Sequence, residues 1–148
     1  MIIRAYRPGE CAILARLFYD TVHAVNIRDY SREQVDAWAT GQVDLERWER
    51  TLSERCTAIA EEDGVIIGFG DMTAQGYLDR LFVHKDHQRR GVASAICDRL
   101  EREVDAPLFT ANVSITARPF FEQRGYRVVR EQRILRRGVW LSNYRMEK

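Results

Sequence analysis

The stretch DRLFVHKDHQRRGVASAICDRL, Asp79 to Leu100, decides how this chain is read. Leu81-Phe82-Val83 is a short apolar run that gives way to the polar residues His84 to His87, as a strand does on leaving a sheet. Beyond it, Val92, Ala95, Ile96 and Leu100 recur at helical spacing, with Arg99, Glu101 and Arg102 for the wet face. Gly91 lies in the turn between, where a missing Cβ permits a positive φ or a close approach of backbone to a ligand. The first-turn amides of such a helix have no intrahelical partners and, with a dipole worth about half a positive charge, favour a phosphate group. Arg89 and Arg90 add two full charges. An ordinary strand–turn–helix with solvated arginines would show the same pattern. A P-loop is excluded, because G-x-x-x-x-G-K-S/T is absent, and no G-x-G-x-x-G opens a helix as a dinucleotide fold requires. Gly64, Gly68 and Gly70 read instead as hairpin punctuation.

Working outward, the order of elements is strand, helices, three strands, helix, strand, helix and two strands. Met1 to Tyr6 alternates as a strand, ended by Arg7-Pro8-Gly9, and Glu10 to about Asn26 carries Ile13, Leu14, Leu17, Phe18, Val22 and Val25 at the helical interval. Ser31 is a good N-cap for a helix over Arg32 to Ala39, and a third helix runs from Asp44 to about Glu54. Thr57 to Glu61 and Val65 to Met72 are strands joined by Asp63-Gly64, a strong hairpin signal. Tyr77 to Val83 is the strand before the cradle, and Val92 to Val104 the helix after it. Leu108 to Val113 forms a strand, Thr116 to Gln123 a short helix, and Tyr126 to about Leu135 and Val139 to about Met146 the closing strands. Arg124, Arg127, Arg130, Arg133 and Arg136 also have helical period, but Gly125, Gly138 and Val128-Val129 favour strands. The expected fold is α/β of the α+β type: a mixed, mostly antiparallel sheet flanked by helices, in one domain over residues 1–148.

Composition bounds the function. A chain of 148 residues buries a core without disulfides or metal, and a net charge of +1 excludes a histone-like binder. The bases are nearly all arginine, with Lys85 and Lys148 the lysines, and codon bias accounts for that without a nucleic-acid role. Cys11, Cys56 and Cys97, odd in number and far apart, fit reduced thiols in the cytoplasm rather than a disulfide framework or zinc ribbon. The N-terminus lacks the apolar run of a signal peptide, and no stretch approaches the roughly 20 apolar residues that cross a bilayer. The expectation is a soluble cytoplasmic protein, monomer or homodimer, with no membrane, nucleic-acid or metal partner. His84, Asp86 and His87 match no standard metal motif and read as a polar turn.

The spacing Gln88-x-x-Gly91-x-Ala93 resembles the (Gln/Arg)-x-x-Gly-x-(Gly/Ala) signature of the GCN5-related N-acetyltransferases, and the element order resembles their fold over essentially the whole chain. A second segment agrees: Ala117-Arg118-Pro119-Phe120-Phe121-Glu122-Gln123-Arg124-Gly125-Tyr126 is similar to the family's late A-x-x-(Phe/Leu)-(Tyr/Phe)-E-x-x-G-(Phe/Tyr) helix and strand. Asp29-Tyr30-Ser31-x-x-Gln34-x-x-x-Trp38 resembles one bacterial subgroup, although plain core packing is the favoured reading of Tyr30, Trp38 and Trp48.

The resemblance implies an acetyl-coenzyme A-dependent N-acetyltransferase that transfers acetyl directly to an amine of a small molecule or peptide. The cofactor site it implies comprises Leu81, Phe82 and Val83, then Gln88, Arg89, Arg90, Gly91, Val92, Ala93 and Ser94, then Asn112, Phe120 and Phe121. A backbone amide near Phe82 and Val83 would polarise the thioester carbonyl. The basic run Arg124 to Arg137, six arginines against Glu131, could take the cofactor's 3′-phosphate or be a solvated strand pair. Asp79, or water held by it, is the expected base, with a surface pair to Arg80 or Arg89 as the plainer reading. Many relatives place tyrosine where Phe121 stands, and phenylalanine gives no proton. Tyr144, Tyr126 and Tyr77 are then the available hydroxyls, with Tyr144 taken as the acid, and His23 is a candidate for the acceptor pocket. The departure at Phe121 leaves a second class open, a cofactor-binding sensor or interaction module without turnover.

Overall fold

The computed structural model describes residues 1–148. Its strands are β1 (Ile2–Ala5), β2 (Cys56–Glu62), β3 (Val65–Met72), β4 (Tyr77–Val83), β5 (Thr110–Ser114), β6 (Arg127–Arg136) and β7 (Val139–Glu147). Its helices are α1 (Cys11–Ala24), α2 (Arg32–Trp38), α3 (Leu45–Glu54), α4 (Val92–Glu103) and α5 (Arg118–Gln123), with a 3-10 turn at Asn26–Arg28 after α1. The seven strands form one sheet in the order β1-β2-β3-β4-β5-β7-β6, antiparallel everywhere except between β4 and β5.

Local chemistry sets the element boundaries. Asp63 (φ 52°) and Gly64 (φ 78°) are both left-handed, as a two-residue primed hairpin requires, and Arg137 (φ 46°) with Gly138 (φ 79°) repeats the device between β6 and β7. The basic C-terminal run is therefore a hairpin. Ser31 and Gln34 form a reciprocal capping box at α2, and the other amide face of Gln34 donates to the Trp140 carbonyl at 2.9 Å, fixing α2 to β7.

The glycines inside β3 have a different role from the expected punctuation. A Cβ on Gly70 would lie 3.0 Å from Ile96 Cγ2 and 3.0 Å from the Arg80 carbonyl, so these positions let α4 settle directly onto the sheet. One core lies on that side, where Ile67, Leu78, Ile96, Leu100, Phe121 and Met146 pack together. Cys97 belongs to it, and burial pushes its thiol up to about 12. On the other face α1 and α3 cover Ile59 and Phe69, while α2 with Tyr30 covers Leu141.

The feature that positions the site is the break between β4 and β5. They pair at Tyr77↔Thr110 and Leu78↔Ala111 and then separate. At the same point β4 is irregular against β3: Asp71 faces Arg80 and Met72 faces Leu78, which makes Asp79 the extra residue of a bulge. Bulges bend a strand, and this one bends β4 away from β5.

Candidate active site

The opened strands border a cleft of about 1490 Å³ that runs from the N-terminus of α4 to the space between α1, α2, α3 and the β6–β7 hairpin. Antiparallel neighbours exchange both backbone hydrogen bonds at every second pair. The His84 amide donates to the Ile67 carbonyl at 2.8 Å, so Phe82 turns its polar backbone groups to β3, whereas Leu81 and Val83 turn theirs towards the cleft. The Val83 carbonyl, aimed that way, accepts from Thr21 Oγ1 at 3.3 Å and from Gln88 Nε2 at 2.6 Å. Of the two neighbours singled out as thioester donors, Val83 offers its amide to the cleft and Phe82 does not.

The cradle follows. Gln88 ties the turn back to β4, Arg89 (φ 60°) and Gly91 (φ 80°) are both left-handed, and α4 starts without any side-chain cap. Its first intrahelical bond at this end is Ala95 N–H to the Gly91 carbonyl, leaving the amides of Val92, Ala93 and Ser94 without helical partners in the cleft wall. Apart from Gly91 itself and its two chain neighbours, no protein atom lies within 4 Å of where a Gly91 Cβ would stand. The backbone of the turn is thus bare to an approaching anion. A non-glycine residue held at positive φ, as Arg89 is, costs on the order of 1 kcal/mol or more, and such strain clusters at ligand clamps.

Past the bulge lies a charged cluster. Side chains of Leu78, Leu81 and Val83 pack towards α4, while Arg80 stacks 4.4 Å above the Trp48 ring and Phe82 lies against Phe18 on the opposite face. Simple alternation would put Leu78 and Arg80 together; the extra residue at Asp79 separates them. Arg55 Nη1 reaches both Asp71 Oδ2 (2.9 Å) and Asp79 Oδ2 (2.5 Å), and Arg80 Nη1 reaches Asp71 Oδ2 at 3.2 Å. Asp71 is fully buried, and its Oδ1 has no partner. Burial pushes its carboxyl up to about 6 against the pull of Arg80 and Arg55. Tyr77 accepts at its hydroxyl from Asn112 Nδ2 (3.3 Å), and Asn112 accepts from Gln132 at 3.1 Å. Burial raises the Tyr77 phenol, so it stays protonated.

Leu81, Phe82, Val83, Gln88, Arg89, Gly91, Val92, Ala93, Ser94, Asn112, Phe120 and Phe121 all border the cleft, as does Asp79. Arg90 does not: it turns to Glu62 at 3.3 Å. Tyr144 also lies outside the lining, on the α5 face of β7 beneath the Arg118 guanidinium at 4.5 Å, whereas its neighbour Asn143 faces the cleft. The structure thus does not bring Tyr144 to the cleft wall. Tyr126 donates to Glu101 at 3.0 Å inside the core, which leaves Tyr77 as the cleft hydroxyl among the three. His23 bonds the Ala39 carbonyl at 2.7 Å and stacks on Tyr19. Arg124 is held by Glu101 (2.9 Å) and Asp98 (2.8 Å) and is not free for a phosphate. Asp79 pairs with Arg55 rather than with Arg80 or Arg89. Sequence reasoning passed over Arg55 and Asp71, and it read Trp38 and Trp48 as core although both border the cleft.

The site is therefore a divided sheet with bare strand edges and an uncapped helix at its mouth. The family model described as an acetyltransferase (GNAT) domain matches residues 26–148. The chain is 37% identical over 144 residues to the uncharacterized N-acetyltransferase YafP of Escherichia coli strain K12, spanning 97% of this chain and 93% of YafP. A GCN5-related N-acetyltransferase from Rhodopseudomonas palustris superimposes with a TM-score of 0.94 at 33% identity, over 99% of this chain and 94% of that one. YncA from Salmonella typhimurium, a putative acetyltransferase solved with acetyl-CoA, shares the fold at a TM-score of 0.67 and 19% identity, over 100% of this chain and 92% of YncA. The chain belongs to the GNAT acetyltransferase family and is an acetyltransferase.

Proposed function

We propose that this enzyme transfers the acetyl group of acetyl-coenzyme A directly to an amine of a small molecule or peptide, with both substrates bound together and no covalent enzyme intermediate. The observation that carries this reading is the divergence of β4 from β5 immediately after Leu78, which leaves the Leu81 and Val83 amides facing a cleft that ends at the bare N-terminus of α4.

The residues present fit the cosubstrate. The amides of Val92, Ala93 and Ser94, with Arg89 beside them, suit its pyrophosphate, and the space over Gly91 admits it. Acetyl-coenzyme A supplies an activated thioester acyl group. The Val83 and Leu81 N–H groups are the donors preorganised for charge on the thioester oxygen. Phe121, 3% exposed between Phe120 and Tyr126, gives an apolar wall and no proton. Asp79, directly or through water, accepts the amine's proton, and Tyr77 or solvent returns one to the leaving thiolate. Three free thiols fit a reducing compartment, the cytoplasm.

The test has two readouts. Acetyl-coenzyme A should raise the melting temperature by mass action, and an amine panel should elicit release of free coenzyme A thiol. Binding without thiol release from any amine would reduce the protein to a cofactor sensor, and absence of binding would remove the reading altogether.

A further inference from the structure

Beyond the β4–β5 opening, one wall of the cleft is aromatic. Phe18, Trp38, Trp48 and Phe82, from α1, α2, α3 and β4, all border this part. Their rings touch one another, with centroids 5.0 Å apart for Phe18–Phe82, 5.6 Å for Phe18–Trp48 and 6.4 Å for Trp38–Phe82. Each is only half-buried, whereas Phe69 beneath them is sealed in the core and does not reach the cleft. They form an apolar wall facing open space.

Charge on the same part is one-sided. Arg28, Arg47, Arg80, Arg136 and Arg137 line it against Asp44 and Asp79. Asp79 is neutralised by Arg55, and Arg80 by Asp71. Asp44 caps α3 by accepting the Arg47 amide at 3.1 Å. Arg28 in the 3-10 turn, Arg47 on α3 and Arg136 at the end of β6 are exposed and make no ion pair, while Arg137 donates to the Ala37 carbonyl, which leaves its charge uncompensated. These four come from three separate segments and line the same cleft. A polycationic acceptor, such as a polyamine or an aminoglycoside, would bring further positive charge against them.

Resting on the acetyl-transfer reading above, we infer that the acceptor is a small-molecule monoamine that carries a carboxylate and a large apolar body, as an aromatic amino acid does. The carboxylate would meet the arginines, whose planar forks match it in bidentate fashion, and the apolar body would lie on the aromatic wall. The amine then points inward to Asp79 and the β4 edge.

The experiment titrates phenylalanine, phenylalaninamide and spermidine into the full-length protein by calorimetry, with and without saturating coenzyme A. Phenylalanine should bind roughly tenfold or more tightly than its amide, the worth of a charge-assisted contact, and spermidine should not compete. Arg136→Glu and Arg28→Glu, both on exposed side chains, should erase that preference while melting as the parent does. Equal binding of the amide, tighter binding of spermidine, or no binding of phenylalanine at millimolar concentration overturns the inference. A parallel melt with acetyl-coenzyme A alone separates the two levels: stabilisation by cofactor with failure of the amine arm refutes only the acceptor class, and no stabilisation refutes the acetyl-transfer reading itself.

Discussion

Asp71 and Asp79 share one guanidinium nitrogen, Arg55 Nη1, which lies 2.9 Å from the first carboxylate and 2.5 Å from the second. One of these carboxylates is fully buried on β3, and the other is the extra residue of the β4 bulge. The contact therefore pins the bulge to the neighbouring strand at the point where the sheet opens. Arg80, on the same Asp71 oxygen, carries the link on to Thr51 (3.0 Å) and to the Trp48 ring in the cleft wall.

Asp71 makes stability depend on pH in an unusual sense. Its carboxyl is raised by burial from the usual 3.8 to about 6, so between those values the folded chain holds a proton that the unfolded chain has released. Stability from this group is full below the lower value and is lost as pH rises through the upper one. Urea melts of the parent and Asp71→Asn across that window should show the parent losing ground to the variant as pH rises, the other carboxylates cancelling in the difference. A flat difference would mean that Asp71 is ionised throughout. Asp71→Leu should be worse at every pH, by on the order of 2–4 kcal/mol, because it leaves the partly buried Arg80 without a carboxylate and removes one of the two that hold Arg55.

Gly91 tests the cradle. Its φ of 80° is left-handed, and a Cβ there meets no protein atom beyond its chain neighbours within 4 Å, so Gly91→Ala should cost only the conformational penalty of roughly 1–2 kcal/mol. Gly91→Val adds bulk over the bare amides and should abolish the melting-point rise produced by acetyl-coenzyme A, with the far-ultraviolet dichroism unchanged. Parent-like stabilisation of the valine variant would move the pyrophosphate elsewhere.

The elements themselves were legible because each follows a local period: the 3.6 interval of α1 and α4, the alternation of the strands, the Asp63-Gly64 turn and the Ser31 cap. The cradle was legible for the same reason, since strand, turn and helix are contiguous in the chain. Tyr144 was misplaced because a strand's face depends on register: Asn143 faces the cleft and Tyr144 the opposite side, and one residue decides between them. The bulge had a faint signal in Leu78-Asp79-Arg80-Leu81, whose two polar residues break the alternation, yet the same pattern suits any exposed strand end. Arg55 and Asp71 are 16 residues apart on different elements, and no local rule joins them.

Phe121 packs with its ring edge-on to Tyr126 at 5.0 Å and to Phe120 at 5.2 Å. Phe121→Tyr adds a hydroxyl at the wall of the cleft. The substitution should lower stability by about 1 kcal/mol or less if the new group reaches the cleft, and turnover should hold or rise. A loss of turnover by an order of magnitude would show that the apolar wall itself is required. Tyr77→Phe is the complementary variant; a slower thiolate-leaving step in it, with cofactor binding intact, would identify Tyr77 as the donor.

Asp79 is the last and most consequential test. One of its oxygens is held by Arg55, which orients the carboxylate at the bulge, and its side chain is a third exposed to the cleft. Asp79→Asn keeps the shape and removes the base, so turnover should fall by roughly a hundredfold or more while the affinity for acetyl-coenzyme A stays near the parent value. Arg55→Met separates base from scaffold: it leaves Asp79 in place but removes its anchor and brings two carboxylates together without the cation between them. If Asp79 acts chemically, kcat collapses in the asparagine variant, whereas the methionine variant, which keeps the carboxylate, retains most of it. If both variants merely raise KM for the amine and leave kcat in place, Asp79 positions the acceptor, and deprotonation falls to solvent.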